Sequence, residues 1–568
     1  MTAPDFITLL LYLLGIFAIS TLSARRISNQ KDMFSAGRNS PWWVSGLSGF
    51  MTMFSAGTFV VWGGIAYRLG IVAVLINTCY GIAALLVGRF VAGRWNQLGV
   101  STPAEYVRRR FGKTGLHFFT WTMMLKRILG VSVSLYALGV LSVALIPQGT
   151  LSQTWAIIIF GAIVVVYTMQ GGLWAVLMTD VLQFIVLTVV VLMVAVLMIS
   201  GMNSPAEYVS SVPEHFFSPV AGDYGWLFLV GWVTIHFFMI GAEWAFVQRF
   251  IAVRSPEEAK KSSYLFGILY LVTPLFWLLP PLLYRGQTAD ANPEQAYILA
   301  AQSVLPPGVL GLMVAAMFSA TASMVSSQLN VFAGVLTNDF YRAFFNPNAP
   351  ERTLVATGRM FTAVLGALLV TVAVLVPYLG GAEKLIITVN SLLVVPLFAP
   401  ALWGLFSRKI GIREMCLVAL TSFFIGALLR FGIAANPLIQ ETDLLAPLAS
   451  YLSKNTKSLE VIVGVILPIL MLLALERLKR GTDPGWKVLE DGRALLQSSI
   501  QESNSPTSFD SFPARMVMIS LLVMAVGMLA LGIFESQGRT VVLSFGVILL
   551  LLAGVIHLVI RKLGVAHR

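Results

Sequence analysis

Three hydroxyls on one helix face are the first chemistry this sequence offers. Ser323, Ser326 and Ser327 stand at i, i+3 and i+4, so a helix through them turns all three to one side. Grouped oxygens suit a hard cation, which prefers oxygen ligands. A carboxylate elsewhere in the chain complements them. Asp180 lies about 12 Å of helix beyond Gly172, at roughly 1.5 Å per residue, inside an apolar run. An ionisable residue at such depth is a functional candidate by default. The competing reading is an Asp paired to a nearby base, with the serines bonding back to their own helix. Glu243 is the second acid in an apolar stretch, two residues after Gly241. Buried and unpaired, it would be protonated or need a cation. It could hold an amine or hydroxyl of a solute, add charge to a cation site, carry a proton, or form a salt bridge.

Other chemistries find no support. The five histidines, His117, His215, His236, His557 and His567, share no metal-ligand spacing. Cys79 and Cys416 sit in apolar runs and read as small buried hydrophobes. There is no phosphate-binding Gly-rich loop, dinucleotide fingerprint or acyltransferase-type His motif, so no enzymatic activity is expected.

The elements that hold these residues are membrane helices. The chain has 568 residues, 57% of them hydrophobic and only 11% charged. A soluble domain carries about a quarter charged residues. Apolar runs of about 18 or more residues recur along the whole length, each long enough to span a bilayer. The expectation is an all-α polytopic membrane protein with about 15 transmembrane helices. The first apolar run has no basic residue before it and reads as a retained helix rather than a cleaved signal. An odd number of spans puts the termini on opposite sides. With the N-terminus outside and the C-terminus cytoplasmic, all but seven of the 38 Lys and Arg fall inside. The seven are Arg68, Arg285, Lys384, Arg430, Lys454, Lys457 and Arg539. The net charge of +12 is therefore a topology signal for a multi-pass inner-membrane protein, facing lipid, not a nucleic-acid footprint.

Organisation follows from the spans. Residues 1–42 hold an extra helix and a cytoplasmic loop. Residues 43–201 and 226–407 each hold five spans. Five is odd, so the second group runs in the opposite sense, giving a 5+5 inverted repeat. Additional helices fill 408–476, a polar cytoplasmic linker 477–514 has a short helix near Trp486–Leu496, and a helix pair occupies 515–568. Glycines near the middle of the first helix of each group, Gly63-Gly64 and Gly241, suggest that the first and sixth core helices are broken around a transport site. Thr102-Pro103 with Glu105, and Ser255-Pro256 with Glu258, carry capping-box signals for short surface helices.

Six segments, in order, add a resemblance. They are "MFSAGRNSPWWVSGLS" (Met33–Ser48), "FSAGTFVVWGGIAY" (Phe54–Tyr67), "STPAEYVRRRFG", "GGLWAVLMTDVLQ" (Gly171–Gln183), "FVQRFIAVRSPEEA" (Phe246–Ala259) and "GLMVAAMFSATASMVSSQLNVFAGVLTNDFYR" (Gly311–Arg342). Over roughly residues 30–410 the chain resembles the sodium/solute symporter family. The resemblance implies a leucine-transporter-like fold with alternating access and sodium-driven uptake of a small organic solute. It implies a principal sodium site from the carbonyls of Met51, Phe54 and Ala320 and the hydroxyl of Ser323. Met324 stands where the family usually has Ser or Thr, and a thioether is a poor ligand for sodium. Asp180, Ser323, Ser326 and Ser327 match a second sodium site of some members. Thr58, Trp62, Asn77, Asn390 and Ser391 are implied cavity residues, with Glu243 at the second break.

The leading expectation is sodium-coupled symport of a sugar, an organic acid or an amino-acid-like solute, with Na+ as the bound ion. The alternative is a proton-coupled or uncoupled carrier on the same fold, motivated by Met324 and Glu243. A transporter-like sensor is a further class.

Overall fold

The computed structural model describes residues 2–24, 38, 40–100, 102–145, 151–167, 173–202, 204–434, 447, 456–490, 512–534 and 538–565. Arg25 and Arg26, Gly171 and Gly172, most of the stretch 435–458 and linker residues 491–511 lie outside the described residues. The described chain is helical, without strands among the described residues.

Each of the fifteen expected stretches overlaps helix among the described residues. They are α1 (Ala3–Ala24); the pair α2 (Trp42–Met51) and α3 (Thr58–Trp62 running into Gly63–Leu69); α4 (Val72–Gln97); α5 (Pro103–Ala144); α6 (Gln153–Tyr167); and α7 (Leu173–Ser200). Then come the pair α8 (Trp226–Ala242) and α9 (Trp244–Ala252), α10 (Pro256–Gln287), α11 (Val309–Arg342), α12 (Arg352–Leu379) and α13 (Gly381–Trp403). The last four are α14 (Ile412–Arg430), α15 (Thr456–Leu478), α16 (Phe512–Phe534) and α17 (Arg539–Val565). Among the described residues, 11 helices are by themselves long and apolar enough to cross a membrane, or up to 12 if the bent α8–α9 pair counts as one span.

Helix starts follow the local capping chemistry. Thr102 and Ser255 accept the backbone N–H groups of Glu105 and Glu258, each at 3.2 Å. The first expected surface segment is a short helix of its own, set off from the rest of α5 at Gly112, whose φ of 73° and ψ of −175° are not helical. The second is not separate. Pro256 opens α10 directly, because no helix breaker follows it before the apolar run.

Two breaks organise the centre. In the first, the chain leaves the helix between Met51 and Ser55, not at Gly63-Gly64. Those glycines are helical. A Cβ on Gly63 would meet Tyr297 at 3.4 Å and one on Gly64 the Pro293 carbonyl at 3.1 Å, so they serve close packing. The amides freed at 55–57 find side-chain acceptors. Ser55 N–H donates to Thr58 Oγ1 (3.3 Å), Ala56 N–H to Thr321 Oγ1 (2.9 Å) and Gly57 N–H to Ser55 Oγ (3.2 Å). Irregular backbone survives at membrane depth only with such partners. The second break is Glu243 itself, in extended conformation, where α8 and α9 bend by 55°. The Gly241 carbonyl accepts Trp95 Nε1–H at 2.7 Å.

Packing ties the two broken pairs together. Ser40 N–H donates to the Ala252 carbonyl (3.0 Å), joining the start of α2 to the end of α9. Helix α2 packs on α7, α9 and α10, and α11 packs on α1, α5 and α7. Helix α1 also caps α11 from outside that helix. The buried Asp5 carboxylate accepts the N–H groups of Gly308 (2.7 Å) and Gly311 (2.9 Å).

Candidate functional site

Four elements meet at Asp180. Its carboxylate on α7 accepts Ser48 Oγ–H of α2 at 2.6 Å and Ser323 Oγ–H of α11 at 3.4 Å. Arg249 of α9 brings Nη2 to 3.8 Å of the same carboxylate, and its Nε–H donates to Ser48 Oγ at 3.2 Å. Both charged side chains are 5% exposed. Ser326 is buried one turn along α11, while the Ser327 side chain lies outside the described residues. Asp180 is thus close both to a hydroxyl of the expected cation set and to a base.

The backbone of the first break sits beside this cluster. Met51 and Phe54 are buried, as is Ala320 on α11. The Met51 carbonyl accepts Phe54 N–H at 2.9 Å, which leaves one lone pair of that oxygen for another partner. Thr321, next to Ala320, links α11 to the break through the Ala56 amide. Met324 turns toward a central cavity instead.

That cavity has a volume of about 110 Å³ and lies between α3, α5, α8 and α13. Thr58, Trp62 and Asn390 line it, with Ser55 and Ser134, whose hydroxyls are 3.0 Å apart. Asn77 lies outside this lining and donates to the Ala73 carbonyl (2.9 Å). Ser391 also lies outside it. Its backbone packs so tightly on Gly464 that a Cβ there would stand 1.9 Å from the Ser391 carbonyl.

Lys126 and Arg127 of α5 line the same cavity. Behind them stands Glu243, 1% exposed, engaged by Lys126 Nζ at 3.1 Å and by the Arg127 guanidinium. Glu243 is held by two cations here, and it is not among the residues lining the cavity. Counted formally, the three side chains carry one net positive charge beside the cavity. His236 of α8 completes the lining, fully buried between Tyr80 (ring centroids 3.9 Å apart) and Trp232 (4.6 Å).

Lys126, Arg127, Arg249 and His236 were not singled out from the sequence. The signal was available: each is a polar or basic residue inside an otherwise apolar span, and such residues rarely face lipid. Counting Lys126 and Arg127 as topology charges concealed them.

A second, wider cavity of about 470 Å³ lies toward the Arg68 end and meets the first at Val61. Its wall is a charge network. Arg68 pairs with Glu383, Lys457 reaches Glu383 (3.7 Å) and Asp223 (4.0 Å), and Arg430 pairs with Glu460 (3.5 Å). Tyr224 donates its O–H to Glu383 at 2.5 Å, and burial beside that carboxylate pushes the phenol well above its usual range. The opposite end of the bundle is tied by Arg110, fully buried, which donates to Asp483 (2.5 Å) and to the carbonyls of Gly404, Ser407 and Ile410.

Comparison with known proteins gives one consistent answer. Residues 33–426 match the model of the sodium:solute symporter family. A sodium/glucose cotransporter of Vibrio parahaemolyticus is 27% identical over 456 residues, covering 72% of this chain and 81% of that protein. A sodium/sialic acid symporter, NanT, of Aliivibrio fischeri is 27% identical over 432 residues, covering 72% of this chain and 83% of that protein. A solved structure of a Na+-coupled sialic acid symporter in a substrate-bound outward-open state is 22% identical and superposes with a TM-score of 0.64 over 83% of this chain and 98% of that one, which marks a common fold.

Proposed function

We propose a function from one established premise: the chain belongs to the sodium:solute symporter family. It is a multi-pass membrane transporter and not an enzyme. The reading is sodium-coupled symport of a small carboxylate-bearing solute, by alternating access between two inverted repeats.

The cation pair at the cavity wall carries this reading. Lys126 and Arg127 share one counter-charge, Glu243. A net charge in a buried site is costly unless something balances it. A solute carboxylate would do so, and Arg offers it a planar two-donor fork. Among the relatives, a sialic acid symporter takes an acid and a glucose cotransporter a neutral sugar by name. The cation pair favours the acid.

Sodium would bind where the first break meets α11, at the carbonyls of Met51, Phe54 and Ala320 with Ser323. A second ion would lie at Asp180, Ser323, Ser326 and Ser327. With the N-terminus outside an inner membrane, the wide vestibule faces outward. Its Arg68–Glu383–Lys457 network links α3, α13 and α15 and must rearrange as the repeats rock. Sodium and solute then need only favour the same state by their differential affinity.

A second reading has its own observation. Arg249 already stands beside Asp180, and Met324 offers no oxygen. Coupling would then run on a single sodium ion, or on none. Uptake of radiolabelled carboxylates, sugars and amino acids into proteoliposomes separates these readings, with sodium, potassium or proton gradients. Sodium-driven carboxylate uptake that is lost in Arg127→Gln supports the main reading. Uptake of a neutral sugar that is indifferent to Arg127→Gln would overturn it.

A further inference from the structure

We infer that Trp95 is the positioning residue of the second break, and that the linker segment 483–490 controls it through the short helix carrying Tyr106 and Arg110. What the break does in transport rests on the alternating-access reading; the linkage itself does not.

The break at Glu243 frees backbone groups on both sides. In an unbroken helix the Gly241 carbonyl would accept the N–H of Ala245, but α8 stops at Ala242. Trp95 Nε1–H, near the end of α4, takes that carbonyl at 2.7 Å. Both residues are buried, where an unpaired carbonyl is costly. The indole is braced in turn. The Tyr106 ring packs on it edge to face, with centroids 4.7 Å apart, and Tyr106 O–H donates to the Ala401 carbonyl at 2.9 Å. Arg110 follows Tyr106 by one turn on the same short helix. It donates to Asp483 at 2.5 Å and faces the Trp486 ring at 5.8 Å. The linker is seated tightly there. Asp483 N–H donates to the Arg408 carbonyl at 2.7 Å, and a Cβ on Gly485 would stand 1.9 Å from the Arg110 carbonyl. Trp486 and Leu489 are buried.

The short helix can turn without the rest of α5. Gly112 separates them with φ 73° and ψ −175°, a combination open essentially to glycine alone. A Cβ there would meet nothing within 4 Å, so the backbone, not packing, demands glycine. Hinges of this kind let a rigid piece swing as a unit. This piece holds the linker through Arg110 and braces the indole through Tyr106. Buried contacts therefore run unbroken from Asp483 to the Gly241 carbonyl, two residues before Glu243. Such a chain carries coupling only where both ends bias one element with two arrangements. That element is the bend of 55° between α8 and α9. A docked linker holds the bend in its present shape. An undocked linker frees α9 to move, as opening on the linker side requires.

The test is amide hydrogen exchange of the purified full-length protein, read by mass spectrometry on peptides covering 240–247, 483–490 and α16. Trp95→Phe keeps an aromatic ring and removes the donor. It should speed exchange at 240–247 by about 10-fold and leave α16 unchanged. Asp483→Ala releases the linker from Arg110, and Asp483→Asn weakens the same bond should the first variant not fold. Exchange should rise at 483–490 and, by at least about 3-fold, at 240–247. Because both changes act on one element, the double variant should exchange at 240–247 within about 2-fold of Trp95→Phe alone, whereas independent effects multiply. Trp403→Phe removes an indole bond to Glu476 outside this path and should leave 240–247 at the wild-type rate. Unchanged exchange at 240–247 in Trp95→Phe overturns the positioning role. A break that keeps its protection when the linker is freed, or effects that multiply in the double variant, overturns control by the linker. Equal acceleration in α16 or in Trp403→Phe marks general loosening and overturns both. The measurement needs neither solute nor ion, so a failed sodium or carboxylate uptake assay leaves its outcome standing, and its failure leaves the symport reading standing.

Discussion

Replacing Glu243 with Gln tests whether the acid at the second break is a counter-charge or a solute ligand. Gln keeps the size of the side chain and leaves the extended hinge intact. Lys126 Nζ lies 3.1 Å from the carboxylate, and Arg127 engages its other oxygen. At 3.1 Å and an effective dielectric of about 20, one such contact is worth about 5 kcal/mol before desolvation. Removing one side of a buried pair typically costs about 3–5 kcal/mol, because the remaining charge stays buried. Here two cations remain, so the solute-free protein should lose about that much. A carboxylate should then restore more stability in the variant than in the wild type. The wild type gains about 2.7 kcal/mol at a hundredfold excess over Kd. The assay is the temperature at which purified protein in detergent loses its monodisperse peak, with and without the transported acid. An unchanged transition, together with weakened solute binding, would refute this reasoning. Glu243 would then be a ligand for the solute.

Further outcomes are expected elsewhere. Arg249→Gln should sharpen the sodium dependence of uptake by about 10-fold in half-saturating concentration, since it frees Asp180 for the ion, and coupling energies of about 1–3 kcal/mol are ordinary. The double variant with Asp180→Asn should lose that gain, and a sodium titration of uptake reads both. Asp5→Ala removes the acceptor of two buried amides at the start of α11 and should lower stability by about 1–3 kcal/mol, measured by the same thermal assay. Gly311→Ala should act in the same direction, because its Cβ would fall 2.1 Å from the Asp5 carbonyl. Arg110→Leu strips Asp483 and three carbonyls of a buried partner and should cost about 3–5 kcal/mol. Limited proteolysis near 483–490 should then speed up, and no change in cleavage would show that Arg110 does not anchor this segment.

Parts of the site were legible because their signal is local. Asp180 and the serines stood out as polar groups in apolar runs, and Asp180 does reach Ser323. Thr58, Trp62 and Asn390 line one cavity, whereas Asn77 and Ser391 lie outside that lining. The break of the first core helix was misplaced for an equally physical reason. Glycine is common in membrane helices for packing as well as for bending. The actual break has serine and threonine side chains that replace the lost backbone bonds, and no periodicity records that exchange.

Composition and spacing by themselves determined the class of this protein: an all-α membrane chain, because little else can bury so much apolar surface with so few charges. They also determined where helices begin, since a cap such as Thr102 to Glu105 closes within three residues. Only the tertiary structure decided which charges meet. Ser48 finds Asp180 across 132 positions, and Lys126 finds Glu243 across 117. Those pairings depend on how helices cross, which a one-dimensional pattern of apolar residues does not contain. The same holds for His236, whose free nitrogen is defined by a carbonyl one turn away and by two aromatic rings, one of them on another helix.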